Sequence, residues 1–283
     1  MKMNKNQLRS IAESTVLISD TGLYRTSEGG PEVDIRILIE DCVAGTRIVS
    51  AEGLAGIPTP NSAGGPAPEI SVADATTLDA AEALLHETGR PPCILVFASA
   101  KHPGGGFLNG MMAQEEDIAY RTTLYKALGS VPGYYKESVA NLNNSLYFNK
   151  AVYTEGLVVM RDSEYELTAP WVCNAITAPA PNRGAALAKN IPESAIEQAM
   201  EERIDLVLRA MISAGEKNIV LGAFGCGVFR NNAGRVAEIF HEALFAHGLG
   251  MHFAKIVFAI PGEAGENHMA FRKVFASGQT NRL

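Results

Sequence analysis

Much of what this 283-residue chain could do is excluded by what it lacks. Its four cysteines, Cys42, Cys93, Cys173 and Cys226, lie far apart and form no CxxC pair, so neither a zinc knuckle nor a disulfide framework is indicated. No stretch reaches the roughly 18 apolar residues of a membrane span, and the amino terminus, MKMNKNQLRSIAEST, carries bases without an apolar core. The expectation is therefore a cytoplasmic protein with no membrane partner. Its 31 acidic and 24 basic residues give a net charge of −7 and are scattered, with no run of five like charges. Non-specific nucleic-acid binding needs clustered Lys and Arg against phosphates, and none is present. There is no GxxxxGK[ST], no HExxH and no GxSxG, which removes P-loop NTPases, zinc proteases and α/β-hydrolases.

What the chain does have is apolar mass, 47% hydrophobic residues, enough for a core that needs no staples. Apolar residues at three- and four-residue spacing predict helices over 5–20 and 36–45. A Gly/Pro-rich stretch from Gly53 to Pro68 reads as a surface loop. It divides a helical amino-terminal extension, 1–68, from a main domain, 69–283. In the latter, apolar runs at 69–73, 93–99, 157–160, 172–177, 218–223 and 255–260 predict strands. Helices are predicted over 75–88, 114–128, 192–215, 232–247 and 265–276. Continuous Val/Ile/Leu runs are what strands buried on both faces require, so the fold class is α/β, a largely parallel sheet covered by helices. Ligands in such sheets bind where strands run into helices, which selects three loops, 100–113, 178–184 and 222–231.

The first of these reads SAKHPGGGFLNGMMAQEED. Gly104, Gly105 and Gly106 permit positive φ and let backbone N–H groups approach a ligand. Gly222, Gly225 and Gly227 do the same in the third loop, ahead of a predicted helix whose amino terminus favours phosphate. Either cluster alone is equally a tight turn; two at one sheet edge point to a diphosphate. The order in GAFGCG is not that of a dinucleotide fold, which disfavours hydride transfer. Gln114, Glu115, Glu116 and Asp117 open a predicted helix, where acids also serve the helix dipole. Following directly on the glycines, they face whatever that loop holds. Glycosidic cleavage needs a carboxylic acid near the leaving oxygen, and one of the glutamates is the candidate. Phe224 and Phe229 flank the third loop as core residues or stacking partners. Asn182 and Arg230 are polar candidates for phosphate, ribose or turns.

Three glycines, seven residues and then Gln-Glu-Glu resemble the signature of the bacterial-type poly(ADP-ribose) glycohydrolases, a macrodomain-like family. ASAKHPGGGFLNG, AQEED, RTTLY, ITAPAPN, LGAFGCGVFRNN and the closing ENHMAFRKVF follow in family order, so the resemblance spans nearly the whole chain. It implies a mixed, largely parallel sheet sandwiched between helices that binds ADP-ribose, with no cofactor and no metal. Glu116 would be the catalytic acid and Glu115 would orient the terminal ribose. Gly104 to Gly106, His102, Gln114 and Asn182 would contact the substrate. Gly225, Cys226, Gly227, Val228 and Phe229 would form the second diphosphate loop, with Phe229 against the distal ribose. The family usually has Asn where this chain has His102, and an imidazole donates and accepts only through opposite edges and gains charge near pH 6.5.

The partners implied are ADP-ribose, poly(ADP-ribose) or an ADP-ribosylated protein, without sequence-specific nucleic-acid binding. A chain of net charge −7 is suited to gripping a terminal unit through backbone amides instead of a long polyanion. Two alternatives stand beside polymer hydrolysis. One is release of ADP-ribose from a modified protein or nucleic acid; the other is a module that binds ADP-ribose without turning it over.

Overall fold

The computed structural model describes residues 3–54 and 67–276. Residues 55–66, most of the expected surface loop, lie outside the described residues. The strands are β1 Leu23–Arg25, β2 Glu32–Asp34, β3 Arg47–Ser50, β4 Glu69–Ala73, β5 Cys93–Phe97, β6 Lys150–Arg161, β7 Leu167–Ala178, β8 Asn218–Leu221 and β9 Lys255–Ala259. The helices are α1 Lys5–Thr21, α2 Arg36–Ala44, α3 Ala51–Leu54, α4 Thr77–Thr88, α5 Gln114–Arg121, α6 Leu124–Gly129, α7 Pro132–Ala140, α8 Arg183–Leu187, α9 Glu193–Ser213, α10 Ala233–His241 and α11 Glu266–Ala276.

Seven strands form one sheet in the order β3-β6-β7-β5-β8-β9-β4. From β7 to β4 every pairing is parallel, while β3, β6 and β7 pair antiparallel. The mixed, largely parallel α/β expectation is met. In central β5, Cys93 and Leu95 enter one core, beside α9 and α10. Ile94 and Val96 enter the other, beside α1, α4, α5 and α6. Alternate side chains of a strand point to opposite faces, so CILVF is apolar throughout because both faces are covered.

Three features depart from the sequence expectation. Strand β3, within the amino-terminal stretch, pairs with β6 and closes one sheet edge, a role too short to read in RIVS. Strands β6 and β7 are a long hairpin of 12 residues each, of which the apolar runs 157–160 and 172–177 mark only part, largely in the carboxyl-terminal halves. A register shift between Thr154 and Leu157 breaks the alternation in the first half of β6. The expected helix 114–128 is two helices. Thr122 is extended (φ −137°, ψ 175°) and bridges to Val159, and that sheet contact overrides the local helical pattern.

Helix ends carry their usual devices. Asn4 and Gln7 form a reciprocal capping box on α1, and Thr76 caps α4, which ends on left-handed Gly89. Among the described residues no helix is long and apolar enough to cross a membrane, and all four cysteines are free.

Candidate active site

Strand β5 runs parallel to both neighbours, so its carboxyl end and those of β7 and β8 open onto one edge of the sheet. The three loops selected from sequence meet there. Residues 99–113 leave β5 through a tight, glycine-built turn. Gly104 and Gly105 both adopt positive φ (68° and 61°), and a 3-10 turn, Phe107–Asn109, returns the chain toward α5.

The turn wraps the two glutamates. Gly106 N–H donates to Glu116 Oε1 at 2.8 Å, and Ser99 N–H donates to Glu115 Oε2 at 2.6 Å. A Cβ added to Gly105 would strike Glu116 Oε1 and lie 3.0 Å from Glu115 Oε2, so glycine is demanded by the acids as well as by the backbone. At Gly104 the obstacles are the Phe107 ring and Ala119, and at Gly106 the Met111 side chain. Tyr120 fixes the far side of the loop, its hydroxyl donating to the carbonyls of Phe107 (2.9 Å) and Met111 (2.8 Å).

The two carboxylates differ sharply. Glu115 is 3% exposed, and its Oε1 is buried without a hydrogen-bond partner. Burial pushes its carboxyl well above the usual glutamate range. The Ser99 N–H opposes the rise, the charge of Glu116 adds to it, and the N–H groups of Gly104 and Gly105 weigh against it. Glu116 is only partly buried.

Gln114 does something else. Its Oε1 accepts from Phe97 N–H (2.8 Å), and its Nε2 donates to Leu95 O (2.8 Å) and Thr77 Oγ1 (3.0 Å). The amide is thus engaged by protein, pinning the first turn of α5 to the end of β5 and to α4. The residue also borders the cavity described next.

A cavity of about 530 Å³ lies beside this turn. Positions 114 and 117 share a helix face, so Gln114 and Asp117 border the cavity, whereas Glu115 and Glu116 turn to the glycine loop. Phe97, Ile260 and Pro261 supply apolar wall, and Thr76, Thr77, Tyr165 and Asn267 supply polar atoms. Gly225, Gly227, Val228 and Phe229 of the expected second loop form the opposite wall. Tyr165, Thr76, Thr77 and Asn267 were not selected from sequence. They come from the β6–β7 turn, from α4 and from α11, and no local motif joins them. Tyr165 alone carries a backbone sign, a positive φ of 66° at a residue other than glycine.

Other expected residues are placed less directly. Asn182 caps α8, its side chain accepting from Ala185 N–H at 3.0 Å, a local role. Cys226 lies in the second loop with its thiol on Phe224 O (3.6 Å), and burial pushes that thiol up to about 12. Phe224 is fully buried against Phe97 and belongs to the core. Phe229 is partly buried, 6.1 Å from the Tyr147 ring. His102 is exposed at the start of the turn, with its carbonyl accepting from Gly105 N–H at 3.0 Å. Arg203, which was not selected from sequence, is buried beneath the loop after β7, donating to Phe148 O (2.8 Å) and to Pro179 O, and burial lowers its guanidinium to about 10.

A sequence profile of the microbial-type PARG catalytic domain matches residues 12–162, a span containing both the glycine turn and the glutamates. The chain belongs to this family. Solved structures agree over almost the whole chain. The poly(ADP-ribose) glycohydrolase of Thermomonospora curvata is 36% identical with a TM-score of 0.89, over 95% of this chain and 100% of that one. The same enzyme bound to the inhibitor ADP-HPD aligns at 36% identity and a TM-score of 0.85, over 95% of this chain and 99% of that one. The Deinococcus radiodurans enzyme in complex with ADP-ribose is 32% identical with a TM-score of 0.77, over 87% of this chain and 99% of that one. No curated protein sequence matches. Membership in the microbial PARG family bears out the resemblance read from the motifs and the fold it implied.

Proposed function

We propose that this chain, a poly(ADP-ribose) glycohydrolase by family, releases terminal ADP-ribose units, with Glu116 as the proton donor to the leaving ribose oxygen. The observation that carries the assignment is the 2.8 Å hydrogen bond from Gly106 N–H to Glu116 Oε1, which ties the acid to the loop that would hold the ribose. Cleavage breaks the bond between the anomeric carbon and the bridging oxygen as Glu116 gives that oxygen its proton. Water then adds to the oxocarbenium-like carbon and gives one proton to the Glu116 carboxylate, which restores the acid. Glu115, its Oε2 held by Ser99 N–H beside the glycine turn, would orient the terminal ribose, as the family resemblance implies.

The diphosphate would lie along the backbone N–H groups of the two glycine loops, where no side chain obstructs at Gly227. The adenosine half would fill the 530 Å³ cavity bounded by Phe97, Ile260 and Phe229, with Phe229 toward the distal ribose. The enzymes from T. curvata and D. radiodurans, in complexes with ADP-HPD and ADP-ribose, supply the ligand class. Free cysteines, three of them buried, suit a reducing cytoplasm.

The test compares wild type with Glu116→Gln on automodified polymer and on singly modified protein, measuring released ADP-ribose and ADP-ribose binding. The variant is expected to bind ADP-ribose and to lose about 10²–10⁴-fold in polymer turnover, the usual worth of a positioned general acid. Equal turnover by the two proteins would remove Glu116 from the chemistry. Release by wild type only from the singly modified protein would transfer the activity to that substrate, and binding without any release would make the chain a reader.

A further inference from the structure

The cavity beside α5 holds a carboxylate for which the proposed hydrolysis has no use. Asp117 follows Glu116 by one residue, yet it faces the cavity and away from the glycine turn. Its Oδ1 accepts from Tyr165 OH at 2.7 Å, and its Oδ2 is 3.6 Å from Arg121 Nη1. Buried Arg121 makes its shorter ion pair, 2.9 Å, with Asp79. A carboxylate presents about four acceptor positions. Tyr165 fills one and Arg121 is shared, so Asp117 retains capacity toward the cavity.

Tyr165 is itself held. Its carbonyl accepts from Arg161 Nη1 at 2.8 Å, and its ring meets Tyr120 edge-on at 6.0 Å. Its hydroxyl also lies 3.7 Å from Met112 Sδ. The other hydroxyls on this wall are engaged within the protein: Thr77 Oγ1 accepts from Gln114, and Thr76 Oγ1 from Asp79 N–H. The cavity therefore presents one fixed, anionic acceptor, beside the neutral polar groups of Asn267 and the two threonines, on an otherwise largely apolar surface. That is an unexpected group to find where a dianionic ligand binds, unless it meets a hydrogen-bond donor.

On the reading that the cavity takes the nucleoside half of the substrate, we propose that Asp117, positioned by Tyr165, selects the base. Its carboxylate accepts an N–H from the exocyclic amine of adenine. A purine with a carbonyl at that position would set acceptor against acceptor in a partly desolvated site, and sites built around one hydrogen bond reject such analogues strongly.

The experiment measures dissociation constants of ADP-ribose and of its hypoxanthine analogue, inosine diphosphate ribose, for wild type, Asp117→Asn and Tyr165→Phe. Taking the ratio of two ligands on one protein preparation removes any loss of folded material from the comparison. Wild type should favour ADP-ribose at least about tenfold, the worth of one hydrogen bond to a charged group. In Asp117→Asn the ratio should fall toward one, because an amide can present a donor to the carbonyl. Tyr165→Phe should keep the preference but shrink it about threefold by loosening the carboxylate. A wild-type ratio near one, or an unchanged ratio in Asp117→Asn, would overturn the assignment. If wild type binds neither ligand, the parent reading of the cavity falls, and this one with it.

Discussion

The two glycine loops look alike in sequence and behave differently in the fold. In the first, residues 99–113, each glycine of the triplet is hemmed in by a neighbour: the Phe107 ring, the two glutamates or Met111. In the second, Gly225 is hemmed in by Ala180 and Asn231, but Gly227 has no heavy atom within 4 Å of where a Cβ would stand, and adjacent Val228 is 80% exposed. The first loop is glycine-rich because the protein itself needs the space. At its tip, the second is glycine-rich where the protein does not. On the proposed reading of the site, the first loop would build the acid site and lend its backbone to the diphosphate, and the second would give the diphosphate its least obstructed stretch, at Gly227.

Breaking the first loop should cost most. Gly105→Ala places a methyl on Glu116 Oε1 at a backbone of φ 61°, and polymer turnover is expected to fall by about a thousandfold. Melting temperature should drop as well. Retained turnover would show that the turn can shift without harm. Gly227→Ala is the counterpart. Melting should stay within the small range of ordinary surface substitutions, while the dissociation constant for ADP-ribose rises about tenfold. Were affinity unchanged, the diphosphate would have to lie elsewhere.

A third comparison sets Glu115 against its partner. Its carboxyl is held above the ordinary value in the folded chain, so the folded state binds that proton more tightly than the unfolded state does. Stability from this group is fully present below the ordinary carboxylate pKa and is lost as pH rises toward the raised folded value. Glu115→Gln should accordingly raise the melting temperature more at pH 8 than at pH 4, by a few degrees, and should abolish most turnover. Equal shifts at both pH values would mean that the burial is not costly. The smallest effect belongs to Val228→Ala, where the lost side chain is solvent-exposed; KM is expected to change less than about twofold.

Sequence made the acid loop legible because its parts are contiguous: the triplet, seven residues, then the glutamates. Strand β5 was legible for the same local reason, five apolar residues in a row buried on both faces. Long-range choices hid the rest. Thr122 breaks the predicted helix because Val159, far along the chain, offers it a bridge, and β3 exists because β6 gives it an edge to pair with. The cavity wall likewise draws on Thr76, Tyr165 and Asn267, which nothing in sequence brings together. The sequence reading of Gln114 as a substrate contact carried no sign of its three bonds to strand and helix, because their partners Leu95, Phe97 and Thr77 belong to other elements.

Those three bonds set a rotational phase. An α-helix advances about 100° per residue, so whichever residue is clamped to β5 dictates the direction in which its successors point. With Gln114 fixed, Glu115 is turned into the interior and Glu116 onto Gly106 of the turn. Inserting one alanine after Gln114 would leave every side chain of the motif present and swing both acids by more than a quarter turn. The Gln-Glu-Glu triplet is thus an index mark followed by two pointers, and its chemistry depends on the residue that carries no charge.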